Sequence, residues 1–450
     1  MKTLTLKEAA EAVSGKLVGE GSFTGVYTDS RKPVKGGLFI ALEGEKFDGH
    51  DFIKNAVNDG AAAVLCRKET DVSLPVIYVE DTKKALLDLA SYYRGLFTFP
   101  VAGLTGSVGK TTTKEMTALV FASEYETVKT QGNLNNDIGM PLTLFNLEDS
   151  TQAAVIEMGM NHKGEISTLT KVSRPDLAII TNIGVSHIEN LGSRENILSA
   201  KLEILEGMKK GSPLIINGDN DLLSGVENDD YDIVFFGIEN EKCHVRAVDI
   251  VMGDSSTECN ILYEGKKYPC FVPIAGIHNV YDALSAFAAG VKTGIAPEKA
   301  ASAIKDYVPA GMRQKTVEKN GITFIEDCYN ASPDSVKAGI NTLSGMSAAR
   351  KIAVLGDMLE LGSYSETAHR ETGRYAAEKG TDALFAYGNA SSFTYDEAKN
   401  NNMTEVFHFT SEEEIGKALC QYLKKGDAVL FKGSRGMKLE NIIKIVYENI

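Results

Sequence analysis

The sequence predicts an α/β protein of three domains, the middle one built on a mainly parallel sheet plus antiparallel hairpins. Three observations predict it. The chain is 450 residues long, and domains hold roughly 100 to 200 residues each. Short apolar β runs alternate with helical stretches through most of it, the pattern of βαβ units. One stretch, VRAVDIVMGDSSTECNILYEGKKYPCFVPI at 245–274, alternates residue by residue and carries Gly-Asp and Glu-Gly turns, which reads as hairpins.

Residues 1–98 read as a small α/β unit. KEAAEAVSG opens as a helix, GGLFIAL and AAAVLC are strands, and IKNAVNDG and TKKALLDLASYYRGLF are helices. Pro100 marks the boundary, because proline biases the residue before it away from helix. Residues 99–310 form the second unit. VAGL, AAVIEMGM, DLAIITNI, PLIINGD and DIVFFG are its strands; KTTTKEMTALVFASE and KGEISTLTKV are helical. HNVYDALSAFAAGVKTG closes it as an amphipathic helix with a glycine stop. Residues 311–450 read as a Rossmann-like unit with the strands ITFIED, KIAVLGD, ALFAYG, VFHFT and AVLFKG.

Composition narrows the function. A net charge of −14 makes the chain a poor candidate for wrapping nucleic acid or docking on anionic membranes. No apolar run approaches the ~18 residues of a membrane span, and MKTLTLKEAAEAVSG is too polar for a secretory signal. The six cysteines are scattered with no C-x-x-C pair, which reads as buried reduced thiols. Together these predict a cytoplasmic protein without membrane insertion, and a monomer is the expectation.

The strongest local signal is GLTGSVGKTTT at 103–113, between a strand and a helix. Glycines there let backbone amides approach phosphate oxygens, and the helix N-terminus adds partial positive charge. Gly106, Ser107, Val108, Gly109, Lys110, Thr111 and Thr112 are the expected ATP-binding residues. Lys110 is placed to contact the β- and γ-phosphates and the Thr111 hydroxyl to hold Mg²⁺. The spacing departs from the usual motif, with Leu104 in the first glycine position. No N-K-x-D base-reading motif is present, and the strand AAVIE ends in Glu157 rather than aspartate.

Parallel sheets carry their chemistry at the carboxyl ends of strands. Glu157 stands at such an end and suits Mg²⁺, which prefers carboxylate oxygen. His187 follows DLAIITNIGVS, yet imidazole is not a favoured Mg²⁺ ligand. Lys201, in SAKLEIL, reads on its own as a solvated helix lysine.

These segments resemble the Mur ligases of peptidoglycan precursor synthesis, over nearly the whole chain. TGSVGKTTTKE, GNLNNDIGMPLTL, IEMGMN, TNIGVSHIENLGS, AKLEIL and GIHNVYDALSA resemble successive motifs of the family's central domain, although Asp282 stands where asparagine is usual. YTDSRKPVKGGLFIALEGEKFDGHDFI resembles its uridine-nucleotide domain. LGDMLELG, KGSRGMKLE and EDCYNASPDS resemble the dipeptide-adding member, and the D-N-P-R motif of the third-residue ligase is absent. The resemblance implies an ATP- and Mg²⁺-dependent, ADP-forming ligase. Its implied substrates are UDP-N-acetylmuramoyl-tripeptide and D-alanyl-D-alanine, joined through an acyl phosphate.

It further implies that Glu157 and His187 hold a second Mg²⁺ and that Lys201 is carbamylated, making Lys110, His187 and Lys201 the catalytic set. Asn279 is expected to face adenine, Asp327 the ribose and Arg313 the phosphates. Thr28, Asp29, Ser30 and Arg31 are expected on the uridine diphosphate, with Gly44 and Gly49 allowing close backbone approach. Asp357 is a candidate for the incoming ammonium, and Lys432 and Arg435 for a carboxylate or phosphate. The alternatives are another ligase of this type, adding the third residue or glutamate to folate, and an ATP-binding module without turnover. The last would be expected to lack Glu157, His187 or Lys201.

Overall fold

The computed structural model describes residues 1–44 and 47–450; Glu45 and Lys46, inside the uridine-domain segment, lie outside the described residues. By contact density the chain forms two compact units. One comprises Met1–Thr105, Glu124–Ala178 and Leu202–Pro213; the other comprises Gly106–Ser123, Ile179–Lys201 and Leu214–Ile450.

The first unit contains a five-stranded sheet in the order Lys16–Val18, Val76–Tyr78, Ala63–Cys66, Leu38–Ile40, Val26–Tyr27. All neighbours run parallel except the edge pair of Lys16–Val18 with Val76–Tyr78. Central strands such as Ala63–Cys66 are buried throughout, which is why they read as continuous apolar runs. The helix Thr82–Arg94 begins at Asp81, whose carboxylate accepts from the Lys83 and Lys84 amides, a helix N-cap. Tyr93 at its far end is fully buried and donates its hydroxyl to the Leu147 carbonyl at 2.6 Å. The strand Ala153–Glu157 pairs in parallel with Val101–Thr105 and with Thr127–Lys129.

In the second unit Asp232–Gly237 pairs in parallel with Val245–Met252. Val245–Met252, Thr257–Tyr263 and Lys266–Val272 then form the antiparallel hairpins expected from the alternation. The helix Ile277–Lys292 is buried along most of its length. A six-stranded sheet fills residues 315–432, in the order Lys315–Lys319, Ile322–Asp327, Asp427–Lys432, Arg350–Gly356, Ala383–Tyr387, Val406–Phe409. Its strands are parallel apart from the first, and helices cover both faces. That is the Rossmann-like unit the sequence predicts. The edge strand Lys315–Lys319 is an addition to that expectation: KTVEK is mostly exposed, so it lacks the apolar run that betrays a central strand.

Of the six cysteines, five are buried and Cys420 is half-buried, and all are free thiols, in line with the expectation. Among the described residues no helix is long and apolar enough to cross a membrane.

Candidate functional site

The strand Val101–Thr105 leads into loop 106–109 and the helix Lys110–Ala122 leaves it. The loop's shape depends on glycine at two positions. Gly109 holds φ +82°, and a Cβ there would lie 2.5 Å from Asp282 Oδ1. A Cβ on Gly106 would fall 1.8 Å from Thr181 Oγ1.

Segment 181–184 ties the loop down. Val108 N–H donates to Asn182 Oδ1 at 3.0 Å, and Thr181 Oγ1 donates to the Val108 carbonyl at 2.6 Å. Ser107 Oγ accepts from Gly184 N–H at 2.9 Å. With these side-chain partners fixed, the loop is pre-shaped for an anion. Lys110 Nζ donates to the Gly106 and Ser107 carbonyls at 2.8 and 3.3 Å, which keeps its ammonium over the loop. Thr111 is buried at the first turn of the helix, and Thr112 beside it is half-buried.

Beneath the loop, Asp282 accepts from Thr113 Oγ1 at 2.7 Å. Burial pushes its carboxyl from 3.8 up to about 7. The folded chain therefore holds this proton more tightly than the unfolded chain does. The stability this contributes is full below about pH 4 and is lost as pH rises through about 7. Asp282→Asn keeps an acceptor for Thr113 without a charge to bury. Its unfolding midpoint, relative to the parent, should rise most at pH 8 and least at pH 4. Calorimetry checks this, and an equal difference at both pH values counts against it.

Lys201 lies on the helix Arg194–Leu202 and is completely buried. Burial first, then the positive charge of Lys110, holds its pKa far below the ordinary lysine value. The solvated lysine that local sequence suggests is thus corrected: Lys201 is a desolvated amine beside the phosphate-loop lysine. His187 caps the short helix Ile188–Leu191 in a left-handed conformation, φ +63°, with Nδ1 3.1 Å from Glu360 Oε2. In the first unit Glu157 is buried at the end of its strand. Its Oε1 accepts from Asn135 Nδ2 at 2.8 Å, and its backbone N–H donates to Thr130 Oγ1 at 3.0 Å. Carboxylate and hydroxyl oxygens of the kind Glu157 and Thr111 offer are what Mg²⁺ takes.

Asn279 is buried near the start of the helix Ile277–Lys292. Its amide donates to the Ala275 carbonyl at 2.7 Å and to Gln314 Oε1 at 2.9 Å. Gln314 is itself buried and left-handed, φ +49°; its Nε2 donates to the Ala275 carbonyl and its Oε1 lies 2.9 Å from His278 Nε2. Arg313 stacks on the Tyr329 ring, 3.9 Å from its centroid. The buried Lys432 ammonium pairs with the half-buried Asp327 carboxylate at 2.5 Å. The Asp357 carboxylate accepts from the Ser391 amide and hydroxyl, both at 2.7 Å, and so caps the helix Ser391–Asn400. Arg435 is exposed and pairs with Glu440 at 2.8 Å.

Near the N-terminus, Thr28 and Ser30 flank Asp29, all three half-buried. The Asp29 carboxylate takes Nε and Nη2 of Arg31, both at 2.9 Å, and that hydrogen-bonded pairing holds its carboxyl below the usual range. Gly49 does allow a close approach, but by the chain itself: a Cβ there would lie 2.7 Å from the Leu42 backbone. At Gly44 the nearest atom would be the Phe47 carbonyl at 3.4 Å. Asn182, Gln314 and Glu360 were not singled out from sequence. Only Asn182 had a local signal, a polar pair directly after the strand Leu177–Ile180.

Three family models match successive stretches: the Mur ligase family, catalytic domain, over residues 22–94; the Mur ligase middle domain over 104–290; and the Mur ligase, glutamate ligase domain, over 312–435. UDP-N-acetylmuramoyl-tripeptide–D-alanyl-D-alanine ligase of Bacillus subtilis is 42% identical, across 99% of this chain and 98% of that protein. The chain belongs to the Mur ligase family. The Escherichia coli ligase of the same name is 33% identical, across 100% of this chain and 99% of its own. A crystal structure of MurF from Acinetobacter baumannii superposes with a TM-score of 0.93 at 30% identity, covering 100% of this chain and 99% of that one. MurF from Thermotoga maritima, solved with ADP, gives 0.86 at 28% identity, covering 94% and 97%. The three-domain architecture of the Mur ligases is therefore present here.

Proposed function

We propose that this chain is an ATP-dependent, ADP-forming ligase that joins D-alanyl-D-alanine to UDP-N-acetylmuramoyl-tripeptide. The observation that carries the reading is the end-to-end likeness, at 42% identity, to the B. subtilis ligase of that activity. The geometry supports it with a pre-shaped phosphate loop and a buried, charge-suppressed lysine beside Lys110.

The tripeptide's terminal carboxylate attacks the γ-phosphorus of ATP, giving an acyl phosphate and ADP. The amine of the dipeptide then attacks the acyl carbon, and phosphate leaves. Loop amides and Lys110 hold the β- and γ-phosphates where negative charge builds up. Thr111, Glu157 and His187 would hold Mg²⁺, which supplies further charge neutralisation. Carbamylation of Lys201 is part of this reading. In the same reading, residues 1–98 bind the uridine nucleotide through Thr28, Asp29, Ser30 and Arg31. Residues 99–310 bind ATP, with Asn279 at the adenine. Residues 311–450 bind the dipeptide and contribute Arg313 and Asp327 to the nucleotide. Asp357, Lys432 and Arg435 are the acceptor-side candidates, each already holding an intramolecular partner that ligand would have to share. The protein works in the cytoplasm as a monomer.

An acceptor panel tests the assignment. With UDP-muramoyl tripeptide and ATP fixed, D-alanyl-D-alanine should support ADP and product formation far better than D-alanine, L-lysine or diaminopimelate. Preference for a free diamino acid on a muramoyl dipeptide would make the chain the third-residue ligase instead.

A further inference from the structure

The phosphate loop is held by segment 181–184, and that segment is itself held. The peptide group between Ile183 and Gly184 is gripped at both ends. Its N–H, on Gly184, donates to Ser107 Oγ at 2.9 Å. Its carbonyl oxygen, on Ile183, accepts from Arg194 Nη2 at 2.8 Å and from Asn220 Nδ2 at 3.2 Å. The peptide is trans, so these two groups point to opposite sides of one rigid plane. Arg194 opens the helix Arg194–Leu202, the end at which the helix dipole disfavours a cation. Its charge is met instead by Asp221, with Nη1 2.7 Å from Oδ2 and Nη2 2.5 Å from Oδ1. The two protons on Nη2 thus serve two acceptors, one on Asp221 and one on Ile183, a fork that a lysine ammonium does not reproduce. Lys201 stands two turns further along the same helix. The element that carries the buried amine is therefore tied to the phosphate loop through a single peptide group.

We propose that Arg194 is a positioning residue for the phosphate loop, acting through the 183–184 peptide on Ser107. Donors on the carbonyl oxygen hold the plane so that its N–H meets Ser107 Oγ. They also polarise the peptide, which makes that N–H a stronger donor. A serine oxygen that accepts in this direction keeps its own proton for another acceptor. In a phosphate loop that acceptor is a phosphate oxygen. Loss of the guanidinium frees the plane to rotate and takes away the N–H that orients the hydroxyl. The inference deepens the ATP-binding reading and rests on it for the effect on affinity, but not for the state of the peptide.

The experiment uses full-length protein labelled with ¹³C-carbonyl isoleucine and ¹⁵N-glycine, so that carbonyl-filtered spectra show only Ile–Gly peptides. The sequence has them at Ile138–Gly139, Ile183–Gly184 and Ile415–Gly416, and Ile183→Val assigns the middle one by removing it. Arg194→Met keeps the length of the side chain without its donors. In that variant the 183–184 signal should move and the other two should stay, which also shows an intact fold. ADP affinity by calorimetry should fall ~10-fold, the scale of losing one charge-assisted hydrogen bond. KM for ATP should rise with it, while KM for D-alanyl-D-alanine keeps the parent value. Asp221→Asn removes the ion pair but leaves Arg194 to the Ile183 carbonyl, so it should keep most of the ADP affinity. In a Ser107→Ala background, Arg194→Met should cost little further ADP affinity, because both act on one contact. An unmoved 183–184 signal in Arg194→Met overturns the proposal. So do equal ADP losses in Arg194→Met and Asp221→Asn, or additive losses with Ser107→Ala. Failure of the ATP-binding reading would look different: the parent itself would not bind ADP, with the 183–184 signal still responding to Arg194.

Discussion

Lys110→Ala should lose at least ~10²-fold in turnover, the scale of removing one preorganised electrostatic contact from a transferring group. The fold should survive. Lys110 is half-buried and lies outside the apolar core; its ammonium donates to the Gly106 and Ser107 carbonyls of its own loop, and the loop is held by Thr181, Asn182 and Gly184 as well. The unfolding midpoint should therefore shift little while phosphate release collapses. The loss should fall on kcat more than on KM for the peptide substrate, because charge on the γ-phosphoryl group develops during transfer. Single-turnover measurement of ADP formation checks this. Near-normal phosphate release from the variant would remove the loop from the chemistry.

Lys201 should give an effect of similar size by a different route. Its amine is fully buried, and the positive charge of Lys110 acts on it. Two cations side by side in a dry site are unstable, and the structure relieves this by favouring the neutral amine. A neutral amine adds to CO₂, releasing one proton and leaving a carbamate. The product reverses the sign of the group and turns repulsion by Lys110 into attraction. Lys201→Ala should accordingly be nearly inactive, with partial recovery in the presence of short carboxylic acids. In ¹³CO₂-equilibrated buffer the parent should show a carbamate carbon that the variant lacks. Full activity in CO₂-free buffer, with no such signal, would refute the modification.

What could be read before folding was local. The phosphate loop announces itself because glycines, lysine and threonine must be adjacent in sequence to surround one phosphate. Buried parallel strands such as Ala153–Glu157 and Ala383–Tyr387 were legible because both faces are covered, leaving unbroken apolar runs. Pairings made by distant segments were not legible. Asp357 resembles an available carboxylate until Ser391 is placed beneath it, and Lys432 resembles a ligand-binding cation until Asp327 arrives from 105 positions away. The burial of Lys201 was hidden for the same reason, since a helix lysine reads as solvated unless the surrounding elements are known.

Gln314 has a consequence for motion. Its backbone occupies the left-handed well, and its side chain is clasped by Ala275, His278 and Asn279. A residue in that well leaves it by crossing a barrier rather than by bending gradually. Leaving also means releasing every one of those amide partners together. The connection at residue 314 therefore behaves as a ratchet with a detent: it stays put under small thermal pushes and, when it does move, it moves by a whole step. Because Asn279 is one of the partners let go, each such step reports to the start of the helix Ile277–Lys292.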